Sequence, residues 1–107
     1  MNPLIDNLEK LVLSGKDGAL LRFGLGNAYA QASEWAKAIP HLRRAVELDP
    51  TYSAAWKLLG KSLAAAGDTD GARGAYEQGI RAAEQKGDKQ ALKEMQVFLR
   101  RLAKPPA

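Results

Sequence analysis

The chain contains no cysteine. That excludes a disulfide framework and any thiolate metal site, and nothing in the sequence requires an oxidising compartment. His41 is the only histidine, with no cluster of His, Asp and Glu at ligand spacing around it, so neither a metal nor another cofactor is expected. No run approaches the roughly 18 uncharged apolar residues of a membrane span. The opening Met1-Asn2-Pro3-Leu4-Ile5-Asp6 has an acid and no basic run before its short apolar segment, unlike a signal peptide. The expected compartment is therefore the cytoplasm. Period-two alternation is also missing, and no Asn-Gly or Asp-Gly turn lies between such runs, so strands are not expected. What is present is 107 residues at 46% apolar composition, enough for one small core.

Charge is unevenly placed. The formal net charge is +4, and Lys86, Lys89, Lys93, Arg100, Arg101 and Lys104 against Asp88 and Glu94 account for all of it. Such a basic segment is either a well-solvated terminal helix or a surface for an acidic partner or nucleic acid.

Two stretches repeat at an offset of 34 residues: Leu25-Gly26 returns as Leu59-Gly60, Ala30 and Ala32 as Ala64 and Ala66, Ala38 as Ala72, and Val46 as Ile80. A period in this range marks stacked supersecondary units. Spacing and punctuation predict six helices. The first follows Asn2-Pro3, a cap before a proline at the first helical position, with Leu4, Ile5, Leu8, Leu11 and Val12 on its stripe and Gly15 at its end. Asp17 is the expected cap of the second, which runs to about Ala32. The third begins near Ser33 to Trp35, tolerates Pro40 in its early turns, and stops at Asp49-Pro50. The fourth spans about Ser53 to Ala66, the fifth about Thr69 to Gln85, and the sixth about Lys89 to Ala103, stopped by Pro105-Pro106. A glycine inside a helix costs about 1 kcal/mol relative to alanine. Gly26 and Gly60 therefore call for close packing of a neighbouring helix as compensation.

The run Ala19 to Pro50 resembles a tetratricopeptide repeat in Leu25, Gly26, Tyr29, Ala38, Leu42, Ala45 and the closing Leu48-Asp49-Pro50. Ser53 to about Lys86 resembles a second copy in Trp56, Leu59, Gly60, Gly67, Ala72 and Tyr76. Three departures stand out: Arg22 where the second copy has Trp56, Gly79 for the expected alanine, and Glu84 for the closing proline. The offset of 34 fails in the last helix, where an offset of 36 restores the stripe. The resemblance implies an all-α fold, a right-handed α-solenoid of two tetratricopeptide helix pairs flanked by an N-terminal and a C-terminal capping helix. Its parts would be a cap at 1–16, repeats at 17–50 and 51–86, and a cap at 87–104. Solenoids need capped ends because an uncapped stack exposes apolar surface.

In this family the first helix of each pair lines a concave groove. The corresponding face presents Leu20, Phe23, Asn27 and Ala30, then Ala54, Lys57, Lys61 and Ala64, and in the slipped register Lys93, Val97 and Arg100 from the last helix. An apolar end and a basic end suit a peptide with a hydrophobic anchor and carboxylates. In the other reading of these residues, Phe23 packs on the first helix and the lysines are simply solvated. Asn27 and Lys57 are compatible with the two-carboxylate clamp of some family members. Phe23 and Leu58 stand where that clamp has lysine and asparagine, so its chaperone ligands are not expected. No enzyme is expected. Gly60-Lys61-Ser62 only superficially resembles a phosphate loop, since Ala55 holds the place of its first glycine, and Gly24-Leu25-Gly26 has Tyr29 for the third glycine. His41 is expected on a helix surface. The leading reading is a protein-interaction adaptor. Polyanion binding by the basic last helix is the alternative, although Phe98 is its only aromatic, and weak self-association through an end of the stack is a third.

Overall fold

A computed structural model describes residues 2–103. Lys104 and the expected Pro105-Pro106 stop lie outside them. Six helices follow one another: α1 (Pro3–Leu13), α2 (Ala19–Gln31), α3 (Trp35–Leu48), α4 (Ser53–Ala65), α5 (Thr69–Lys86) and α6 (Lys89–Ala103). The chain is all-α and its helices pack as sequential pairs, α2 on α3 and α4 on α5, with α3 joining the pairs and α6 lying on α5. The shortest dimension is 19 Å, about two helix diameters, as two layers of helices require.

The ends of the helices have local causes. Asn2 Oδ1 accepts from the amides of Leu4 and Ile5 at 3.0 and 3.3 Å, as a cap before Pro3 should. Asp68 does the same for Gly71 at the start of α5, at 2.9 Å. At the C-terminal ends of α2 and α4 the chain turns through a left-handed residue, Ser33 at φ 58° and Gly67 at φ 91°. Both turns close with an amide bonding five residues back, Glu34 to Tyr29 at 3.0 Å and Asp68 to Leu63 at 2.8 Å. α3 runs unbroken through Pro40. Asp17 is not a helix cap: α2 begins after Gly18 with no side-chain cap, because the Asp17 carboxylate is occupied by Arg22.

The glycines of the repeat are where helices touch. A Cβ on Gly26 would lie 2.6 Å from Leu42 Cγ, and one on Gly60 would enter the Tyr76 ring, 2.6 Å from its Cδ1. Leu25, Leu42, Leu59 and Tyr76 are buried beside these contacts, with Ala38 and Ala72 fully covered. Gly79, where the first pair has Ala45, faces Met95 and the Cβ of Trp56. A methyl group there would collide with the methionine that seats α6.

The two-residue slip has a plain origin. α3 has 14 residues and stops before Pro50, whereas α5, with Glu84 in place of that proline, continues to 18 residues and ends at Gly87 at φ 71°. The chain then enters α6 two positions late. Ala91 and Met95 take the buried places of Ala55 and Leu59.

Replacing Gly60 with alanine is expected to destabilise the protein by about 1–3 kcal/mol through overpacking against Tyr76. Gly74, also inside α5 but with nothing within 4 Å of its Cβ direction, is the control: Gly74→Ala should stabilise by about 1 kcal/mol from helix propensity alone. Urea midpoints of the two variants should move in opposite directions.

Candidate functional site

A cavity of about 340 Å³ is lined by Phe23 and Asn27 from α2, Ala54, Lys57, Leu58 and Lys61 from α4, and Glu94 and Phe98 from α6. Five expected groove residues, Phe23, Asn27, Ala54, Lys57 and Lys61, therefore meet in one place. They do so because α2 and α4 present the same helical face 34 residues apart, so Phe23 and Lys57 are register equivalents, as are Asn27 and Lys61. Phe23 packs on Tyr52 of the α3–α4 turn, ring centroids 5.0 Å apart. Lys61 is exposed and forms no ion pair among the described residues.

The remaining expected residues fall elsewhere. Leu20 is 75% exposed in the first turn of α2 and does not line the cavity. Nor do Lys93, Val97 and Arg100; α6 contributes Glu94 and Phe98 instead. The reason is geometric. α6 closes one edge of the groove, so only the flank turned towards α4 meets the cavity, while Lys93 and Arg100 face outward and are exposed. This exchange also changes the charge of the groove. Lys57 Nζ lies 3.4 Å from both Glu94 carboxylate oxygens, so the expected basic end contains an acid.

α6 is anchored beside this pair. Asp88 accepts from the Ala91 amide at 3.1 Å and from the Ser53 hydroxyl of α4 at 3.1 Å. The Ala91 amide, then the Ser53 hydroxyl, hold the Asp88 carboxyl below its ordinary pKa. One turn beyond Glu94 on the same face of α6, Phe98 packs on Tyr76 with centroids 5.7 Å apart, and the Arg101 guanidinium lies over Phe98. Gly60-Lys61-Ser62 is interior to α4, with Gly60 against Tyr76 and Ser62 buried, which is no geometry for a phosphate loop. No group of His, Asp and Glu among the described residues is arranged to hold a metal ion, and none of the described helices is long and apolar enough to cross a membrane.

A second polar cluster was missed by sequence reasoning. Arg22 donates to both carboxylate oxygens of Asp17, at 2.7 and 3.1 Å, and to His41 Nδ1 at 3.0 Å. Because guanidinium can only donate, Nδ1 must accept, which assigns His41 the neutral Nε2–H tautomer. His41 is half-buried and stacks on Tyr29, with planes 7° apart, rather than lying free on a helix surface. Tyr29 in turn donates to Glu9 of α1. That hydrogen bond, then burial, pushes the tyrosine pKa up to about 12. The signal lay in the repeat itself: Arg22 and His41 replace Trp56 and Ala75 at the same offset, a paired change from aromatic and methyl to two polar groups.

A family model described as tetratricopeptide repeat matches residues 5–53 and again 23–88. The chain belongs to the tetratricopeptide repeat family. It is 59% identical over 99 residues to the TPR repeat-containing protein PA0015 of Pseudomonas aeruginosa, across 92% of this chain and 94% of that protein. The solution structure of BPP2914 from Bordetella parapertussis superposes with a TM-score of 0.80 at 52% identity, covering 96% of this chain and 90% of that one. The tetratricopeptide repeat domain protein of Salinibacter ruber gives 0.73 at 27% identity, covering 80% and 87%. Tetratricopeptide domains are in general protein-interaction modules.

Within this tetratricopeptide chain, His41 supplies a measurable signature. Burial, then the neighbouring Arg22 charge, lowers its pKa from the usual 6.5, against the smaller opposite pull of Glu9 and Asp17. The folded state therefore favours neutral His41. The stability this contributes is complete above pH 6.5 and is lost as pH falls through the lower folded value. Urea midpoints of wild type should drop between pH 7.5 and 5, and His41→Gln should flatten that drop.

Proposed function

We propose that this protein is a non-catalytic adaptor that binds a segment of a partner protein in the groove between α2, α4 and α6. In this reading α1 and α6 are the caps, within 1–16 and 87–104, of two repeats at 17–50 and 51–86. The observation that carries it is the gathering of Phe23, Leu58 and Phe98 with Lys57, Lys61 and Asn27 around one cavity. The rings and leucine offer burial to an apolar anchor. The lysines and the amide offer charge-assisted and neutral hydrogen bonds to carboxylates and backbone. Phe23 is held by Tyr52, and Lys57 emerges from a helix packed on both sides, so the ordering cost of binding falls mainly on the peptide.

The second reading, polyanion binding by α6, has its own observation: Lys89, Lys93, Arg100 and Arg101 are all exposed on that helix. Against it, Phe98, the one aromatic ring of α6, lines the groove beside Lys57 and not the outward face that carries Lys89 and Lys93, so α6 offers those bases no stacking platform.

The two separate in one experiment. Wild type, Lys57→Glu/Lys61→Glu and Lys89→Glu/Lys93→Glu are compared for retention of proteins and nucleic acid at low and moderate salt, with circular dichroism confirming the fold of each. Each charge-assisted hydrogen bond is worth about 1.5–3 kcal/mol, so the groove double variant should weaken binding of a protein partner by roughly tenfold or more. The α6 variant should retain it. Nucleic acid held equally by wild type and the groove variant, and released by salt, refutes the groove reading.

A further inference from the structure

We propose that Glu94 is an internal competitor for the groove, so that a ligand must bring its own carboxylate to displace it from Lys57. This rests on the groove reading above. The Lys57–Glu94 contact is the one ion pair joining α4 to α6 among the described residues, and its geometry is loose. Nζ is 3.4 Å from each oxygen, beyond the 2.7–2.9 Å of a strong charge-assisted bond. The two side chains are 31% and 39% exposed. Such a pair contributes little to stability and exchanges readily.

Glu94 also has somewhere to go. It lines the wall shared by the groove and a neighbouring cavity of about 260 Å³ formed by Ala54, Lys57, Asp88, Gln90 and Ala91. Gln90 stands one turn before Glu94 on α6, so a displaced carboxylate meets an amide there instead of an apolar wall. Asp88 is committed to Ala91 and Ser53 and keeps α6 in place during the exchange.

The consequence is selectivity. An apolar segment settling on Phe23, Leu58 and Phe98 would cover the Lys57–Glu94 pair and desolvate both charges without replacing either interaction. A segment with a carboxylate beside its apolar anchor satisfies Lys57 directly, with exposed Lys61 one turn further along for a second acid. Glu94 therefore opposes acidic ligands by competing for Lys57, whereas an acid-free ligand leaves the Lys57–Glu94 pair in place and loses affinity to the desolvation of both charges.

The test uses a phage-displayed random dodecapeptide library selected against the full chain, followed by fluorescence anisotropy with labelled synthetic peptides from the enriched clones. Proteins are wild type, Glu94→Gln, Lys57→Gln and the double variant. Glu94→Gln is expected to bind acidic-apolar peptides about two- to tenfold tighter than wild type. That gain should vanish in the Lys57→Gln background and when the peptide's Asp and Glu are replaced by Asn and Gln. Equal or weaker binding by Glu94→Gln, with loss on Lys57→Gln, overturns the competitor and leaves the groove intact. Selected peptides indifferent to Lys57→Gln, or no enrichment at all, overturn the groove reading and the competitor with it.

Discussion

The close approach of paired helices at Gly26 and Gly60 sets the spacing on which the rest of the molecule depends. Leu42 and Tyr76 occupy the space that a side chain would otherwise take, and each pair becomes a rigid unit with a small-residue seam at Ala38 or Ala72. Dispersion contacts across such a seam are individually weak but numerous, and they are lost together if the helices separate. The groove inherits its width from this seam. Phe23 and Asn27 face Lys57 and Lys61 only because two units of the same geometry are stacked one repeat apart.

The two units are not filled alike. The second uses aromatic bulk, Trp56 over Gly79 with its indole nitrogen donating to the Pro50 carbonyl at 2.8 Å. The first places Arg22 at the equivalent position, and the charge is accommodated by Asp17 and His41. A polar network of this kind, joined through Tyr29 to Glu9, ties α1 to the stack by directional bonds in addition to the packing of Ile5, Leu8 and Val12. α1 otherwise leaves Leu4 and Leu11 exposed.

Helix ends and core were legible because they rest on local rules. Asn2-Pro3, Gly15, Asp49-Pro50, Gly67 and Gly87 act within a turn of themselves, and the offset of 34 assigns the seam residues without any tertiary knowledge. The slip to 36 placed Met95 correctly in the core, yet it did not say which flank of α6 would meet α4. That depends on the angle at which a terminal helix, packed on one side only, settles against its neighbour. Hence Glu94 and Phe98 line the groove where Lys93 and Val97 were expected. The Arg22–Asp17–His41 network was hidden for a related reason. Repeat comparison identifies a departure from the pattern but not the long-range partner that satisfies it.

The turn that ends α2 and the turn that ends α4 have the same hydrogen bonding, but one passes through Ser33 and the other through Gly67. Serine holds a left-handed conformation against its Cβ, so its penalty resides in the folded chain. Glycine adopts that conformation freely, and its penalty resides instead in the larger number of states that the unfolded chain gives up. Two turns alike in geometry thus oppose folding from opposite sides of the equilibrium. The first repeat holds its share as native strain and the second as entropy of the denatured ensemble.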